Sequence, residues 1–172
     1  PPTWLVLFMP VTWAVKTLMF GQVFLGGLFA ACFFRSLGKG WFAATVGGVL
    51  YSFGCMLGQI YWPSQVSTLV WLPFLMWAVE RFIQTRRWRW WAAFIIGVAL
   101  QALAGFPQFM VYTLYLLGPY ALVRLVQEKG KKREEEKIAK PRAARMGIWF
   151  TAMFLLAGCV LAAGLAAIQL AP

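Results

Sequence analysis

Few side chains in this sequence can move a proton or hold a charge, and their placement narrows the chemistry at once. There is no His and no Asp, and the five acids are Glu80, Glu128, Glu134, Glu135 and Glu136. All five stand close to Lys and Arg residues at one set of chain connections. A hydrolytic triad, an acid/base pair working at the opposite connections, and a His-ligated haem or chlorophyll all need groups this stretch lacks. Cys32, Cys55 and Cys159 are far apart in apolar runs, so they read as small packing residues and not as a disulfide framework or a metal site. No cofactor and no metal is expected. The residues left for binding are neutral amides and one cation. Five of the eight glutamines, Gln59, Gln65, Gln101, Gln108 and Gln169, fall at or near the ends of apolar runs that carry no charge. An amide both donates and accepts, which suits sugar hydroxyls or a carbonyl-rich headgroup; the same residues also satisfy frayed helix ends. Lys16 stands about 9 Å of helix beyond Pro10. Its ammonium suits a lipid phosphate or pyrophosphate, or its stem extends to the headgroups. Glu80 beside Arg81 reads as an interfacial ion pair.

The elements that must position these groups are set by composition. Of 172 residues, 62% are hydrophobic and 12% charged, whereas soluble domains carry about 25% charged residues. The expected fold is all-α, a polytopic transmembrane bundle of about six spans of around 20 residues each, forming one module over residues 1–172. The chain begins on Pro1 and stops on Pro172 after an apolar run, and it reads as a piece of a longer polypeptide. The formal net charge of +11 does not indicate nucleic-acid binding, because the basic groups lie between apolar runs and not on a water-facing patch.

Pro10 divides a short interfacial element from a first span over Val11 to Phe34. Further spans are expected over Trp41 to Gly58, Gln65 to Phe82, Trp90 to Ala104, Phe109 to Val126 and Gly147 to Leu170. The polar stretch 127–146 is expected as a charged loop in water, partly helical through the four-residue spacing of Lys132, Glu136 and Lys140. Two Lys/Arg residues lie between spans one and two, four around the link from three to four, and nine around the link from five to six. The turns near Trp62 and Pro107 carry none. By retention of positive charge in the cytoplasm, both chain ends and the two uncharged turns are extracytoplasmic in the inner membrane of a bacterium. Trp41, Trp62, Trp88, Trp90, Trp91 and Trp149 fall at span ends and read as interfacial anchors. Gly54 and Gly58, with the small residues Gly158 to Ala167, are expected to let helices approach closely.

Three motifs carry a likeness. They are Trp71-Leu72-Pro73-Phe74 leading into Ala78-Val79-Glu80-Arg81, then Ala104-Gly105-Phe106-Pro107-Gln108 followed by Tyr112, and finally Ala166-Ala167-Ile168-Gln169-Leu170-Ala171-Pro172. In this order, at these helix ends, the chain from Gly26 onward resembles the YfhO family of bacterial membrane proteins, among glycosyltransferases of the GT-C fold. The resemblance implies transfer of a sugar from a polyprenyl-phosphate carrier to a cell-envelope acceptor outside the cytoplasmic membrane. It also implies a catalytic acid in an outer loop upstream of Pro1. Family members commonly have His where Phe106 stands, and often another near Tyr61-Trp62; this chain has neither.

Two functions are therefore expected as alternatives. The first is a fragment of a lipid-linked-sugar glycosyltransferase whose donor site uses Lys16, Gln65, Gln108 and Gln169, with no catalytic residue in this stretch. The second is a non-catalytic accessory subunit that packs its Trp- and Phe-rich surface against a larger membrane complex, such as an energy-converting one, and sits among membrane lipids. A transporter half finds little support, since no intramembrane acid or inverted repeat is visible.

Overall fold

Proline and glycine punctuate the apolar runs, and Pro10, Gly38, Pro63, Gly105 and Pro107 stand at helix boundaries. The computed structural model describes residues 10–59 and 61–136, with side chains through residue 128. These described residues form six α-helices: α1 (Val11–Ser36), α2 (Trp41–Leu50), α3 (Pro63–Leu69), α4 (Trp71–Thr85), α5 (Trp88–Leu103) and α6 (Pro107–Glu136). Helix α2 runs on through a π-helical segment, Tyr51–Met56, and a final tight turn, Leu57–Gln59. Pro10 caps α1 with φ −53° and ψ 138°, while Pro63 and Pro107 open α3 and α6, where a proline's missing N–H costs nothing. The α1–α2 and α5–α6 turns use Gly38 at φ 80° and Gly105 at φ 84°, values that a side chain disfavours.

Among the described residues, four stretches are long and apolar enough to cross a membrane: Val11–Ser36, Trp41–Gln59, Pro63–Thr85 and Pro107–Glu128. Helix α5 is apolar but has 16 residues, about 24 Å of helix against a hydrocarbon core of about 30 Å. The expected six spans thus become four of full length and one shorter helix among the described residues. The expected last span, Gly147 to Leu170, lies outside them. The expected third span begins earlier, at Pro63, and breaks at Val70 into α3 and α4. Instead of stopping at Val126, the fifth continues as helix to Glu136, so the charged stretch starts as an extension of α6.

Helix α4 is the centre of the bundle, in contact with α1, α3, α5 and α6. Its buried residues Leu75, Phe82 and Ile83 pack with Phe94 and Val98 of α5 and Leu117 of α6. A second cluster joins Met19 and Val23 of α1 to Met56, Val66 and Val70. Pro73, on the third residue of α4, explains the break before it. Its ring nitrogen cannot donate to the carbonyl of Leu69 four residues back. That carbonyl accepts instead from the Tyr51 hydroxyl at 2.8 Å, so a neighbouring helix supplies the bond that proline removes, as an apolar medium requires.

Close packing of α1 on α2 is real, but the residues that allow it differ from those expected. A Cβ on Gly54 or Gly58 would meet nothing within 4 Å, whereas one on Gly48 would come 2.6 Å from the Gly27 carbonyl. One on Gly27 would meet the Ser52 hydroxyl and, at 3.1 Å, the Gly48 carbonyl. The crossing is therefore at Gly27 and Gly48, where Ser52 Oγ also donates to the Val23 carbonyl at 3.0 Å. Gly54 stands on an outward face of the same helix, and a small-residue spacing cannot tell the two faces apart.

Candidate functional site

Polar side chains inside the bundle gather at two levels. At the end where α1, α4 and α6 finish, Glu80 is fully buried, with 0% exposure. Its Oε1 accepts from Gln84 Nε2 at 2.8 Å and from Arg124 Nη2. Its Oε2 accepts from the Tyr120 hydroxyl at 2.7 Å and from Arg124 Nε at 2.8 Å. Glu80 and Gln84 are one turn apart on α4, and Tyr120 and Arg124 one turn apart on α6, so two helix faces meet at one carboxylate. Gln84 Nε2 also reaches the Ser36 carbonyl at the end of α1, at 2.6 Å. The Tyr120 ring meets Phe33 of α1 edge-on at 5.7 Å. Nearby, Arg86 ends α4 in the left-handed conformation, φ 53°, and pairs with Glu128 of α6 at 3.3 Å. The bidentate fork between Arg124 and Glu80 is the strong geometry for such a pair.

The expected Glu80–Arg81 pair is replaced by this cross-helix arrangement. Residues 80 and 81 point about 100° apart around a helix, so Glu80 enters the bundle while Arg81 stands 5.8 Å from the centre of the Trp90 ring. The physical reason is burial: a carboxylate without water needs several donors at once, and Tyr120 and Arg124 of α6 together with Gln84 of α4 supply them.

The second level, toward the opposite end, is neutral. Gln101 of α5 is buried and donates to Thr113 Oγ1 of α6 at 2.8 Å and to the Thr68 carbonyl of α3 at 3.3 Å. Gln22 of α1 and Ser67 of α3 bond reciprocally at 2.9 and 3.1 Å. These amides join helices to one another.

Of the expected binding residues, Lys16 is exposed on α1 with its ammonium 5.6 Å from the Trp13 ring centre. Gln108 is exposed and donates to the Tyr112 hydroxyl at 2.6 Å. Gln65 is half-buried on α3, and Gln169 lies outside the described residues. Among the described residues no hydrogen bond joins Lys16, Gln65 and Gln108 to one another. The chain matches no protein-family model, no curated protein and no solved structure. The three motifs of the likeness therefore stand on their own residues. Of these, Pro73 and Glu80 have tangible roles in the bundle: one sets the α3–α4 break and the other anchors α6.

Reading the chain in one dimension misses Gln84, Tyr120 and Arg124. The signal available was the one-turn spacing of each pair at the ends of two neighbouring spans. With both its oxygens taken by donors, Glu80 is held as a fixed anion. It lacks the free lone pair that a proton acceptor or nucleophile would use.

Proposed function

We propose that this chain is a membrane-embedded helical module, with its charged end in the cytoplasm of a bacterium, that serves as a non-catalytic packing subunit of a larger membrane assembly. The observation that carries this reading is the engagement of Glu80. It is the single fully buried acid among the described residues, and it is occupied in locking α4 to α6. The buried hydroxyls and amides of the opposite half are likewise spent on helix contacts. Large apolar side chains meanwhile cover the outside of α1, among them Trp13, Phe20 and Phe24, at 64%, 66% and 72% exposure. Faces of this kind suit lipid or a neighbouring helix. The test is extraction of the full-length protein in a mild detergent. A larger assembly containing the chain at fixed stoichiometry is the expected result, and a free monomer after gentle washing would count against it.

A second reading is favoured by Lys16. An exposed ammonium on a spanning helix, in the half that has no other charge, suits the phosphate of a polyprenyl-phosphate-linked sugar, with Gln65, Gln108 and Gln169 toward the sugar. In that case the chain is part of a GT-C-like glycosyltransferase whose acid comes from sequence outside Pro1–Pro172. Replacing Lys16 by Gln, or Gln108 by Leu, in the intact protein should then lower cell-envelope glycosylation at least tenfold at unchanged protein level. Unaltered glycosylation in both variants would remove this reading.

A further inference from the structure

Helices α1 and α2 touch at Gly27 and Gly48 and leave an open apolar groove beside that crossing. Among the described residues, Phe34, Gly47, Leu50, Tyr51, Gly54 and Cys55 line it, and its volume is about 490 Å³. It opens sideways: Leu50 is 67% exposed, and Gly54 and Cys55 are exposed too. Counting from Trp41 at about 1.5 Å per residue, Gly47 lies about 9 Å and Cys55 about 21 Å from the charged end. Since the hydrocarbon is about 30 Å thick, the groove begins below the headgroups and passes the midplane. Water does not fill such a cleft, and a void there would forfeit the dispersion contacts of its walls.

The α1–α2 turn, at the charged end of the two helices that form the groove, is cationic. Phe34 is followed by Arg35, whose guanidinium lies 4.1 Å from the centre of the Trp41 ring and donates from Nη1 to the Lys39 carbonyl at 3.3 Å. The turn holding Lys39 is set by Gly38. Among the described residues no carboxylate pairs with Arg35 or Lys39. Stacking on Trp41 orients the guanidinium without neutralising it, and Lys39 adds a second positive charge at the headgroup level.

We propose that this groove is a binding site for one anionic phospholipid, its phosphate held by Arg35 and Lys39 and one acyl chain laid along Phe34, Leu50, Gly54 and Cys55. Charge complementarity selects the headgroup, and the apolar cleft directly below receives the tail. The proposal stands independently of both functional readings, since it uses neither Glu80 nor Lys16.

The test counts lipids retained by the full-length protein in native mass spectrometry, from micelles doped with equal mole fractions of phosphatidylglycerol and phosphatidylcholine. The wild type should retain one phosphatidylglycerol per chain more than the number retained by Arg35→Gln/Lys39→Gln, with at least a fivefold preference over phosphatidylcholine at that site. Gly54→Phe should lose the same single lipid by filling the groove. The space around Gly54 is open, so this variant keeps its helical circular dichroism. Equal retention of the two lipids by the wild type overturns the proposal. So does a lipid count unchanged by the double variant or by Gly54→Phe, the latter being the outcome if another protein segment covers the groove.

Discussion

Glu80 shows how much one residue depends on partners far away in the chain. Its burial is tolerable because Arg124 and Tyr120, 44 and 40 residues later, and Gln84 on its own helix meet it with donors. Removing one member of a buried pair leaves the other charged and unpaired, at a cost of about 3–5 kcal/mol. Arg124→Gln should therefore destabilise the bundle by that amount, read from unfolding in mixed micelles, and Glu80→Gln/Arg124→Gln should recover a large part of the loss. If the double variant is as unstable as the single one, the pair is not what holds α4 to α6. The Tyr51 hydroxyl allows a separate test. Tyr51→Phe should cost about 1 kcal/mol, the scale of a hydrogen bond between helices in a membrane. Adding Pro73→Ala should remove that penalty, because an alanine N–H restores the bond to the Leu69 carbonyl. A cycle with no coupling between positions 51 and 73 would refute this account of the α3–α4 break.

Among the elements, α1 and α2 depend on where their glycines face. Gly48→Leu pushes a side chain into the backbone of α1 and should destabilise the protein by about 1–3 kcal/mol, as overpacking does. Gly54→Leu should stay within about 0.5 kcal/mol of wild type, as substitutions away from packed contacts do. Thermal unfolding of the two variants in one detergent decides between the crossing at Gly27–Gly48 and one at Gly54–Gly58. The existence of these helices was legible from apolar run length and from Pro10, Pro63, Gly105 and Pro107. The face each glycine presents was not legible, because spacing repeats every turn while the direction of the neighbour depends on how two helices cross.

For the whole molecule, the arrangement puts Arg35, Lys39, Arg86 and Arg124 at one end, tied together by the Gln84–Ser36 and Arg86–Glu128 contacts. The uncharged turns are at the other. If the charged end faces the cytoplasm, Phe106→Cys, in a background with the three native cysteines replaced, should react with an impermeant maleimide added to intact cells. Lys131→Cys should react only after the membrane is permeabilised, and the reverse pattern would invert the molecule. What the amino-acid order determined unaided was the medium and the segregation of charge, since both follow from counting apolar and basic residues along the chain. Which acid meets which base, which carbonyl is rescued by Tyr51 and which glycine admits a backbone were decided only when the helices packed. Those contacts join residues tens of positions apart through the rotation of each helix about its axis, a quantity no local stretch of sequence contains.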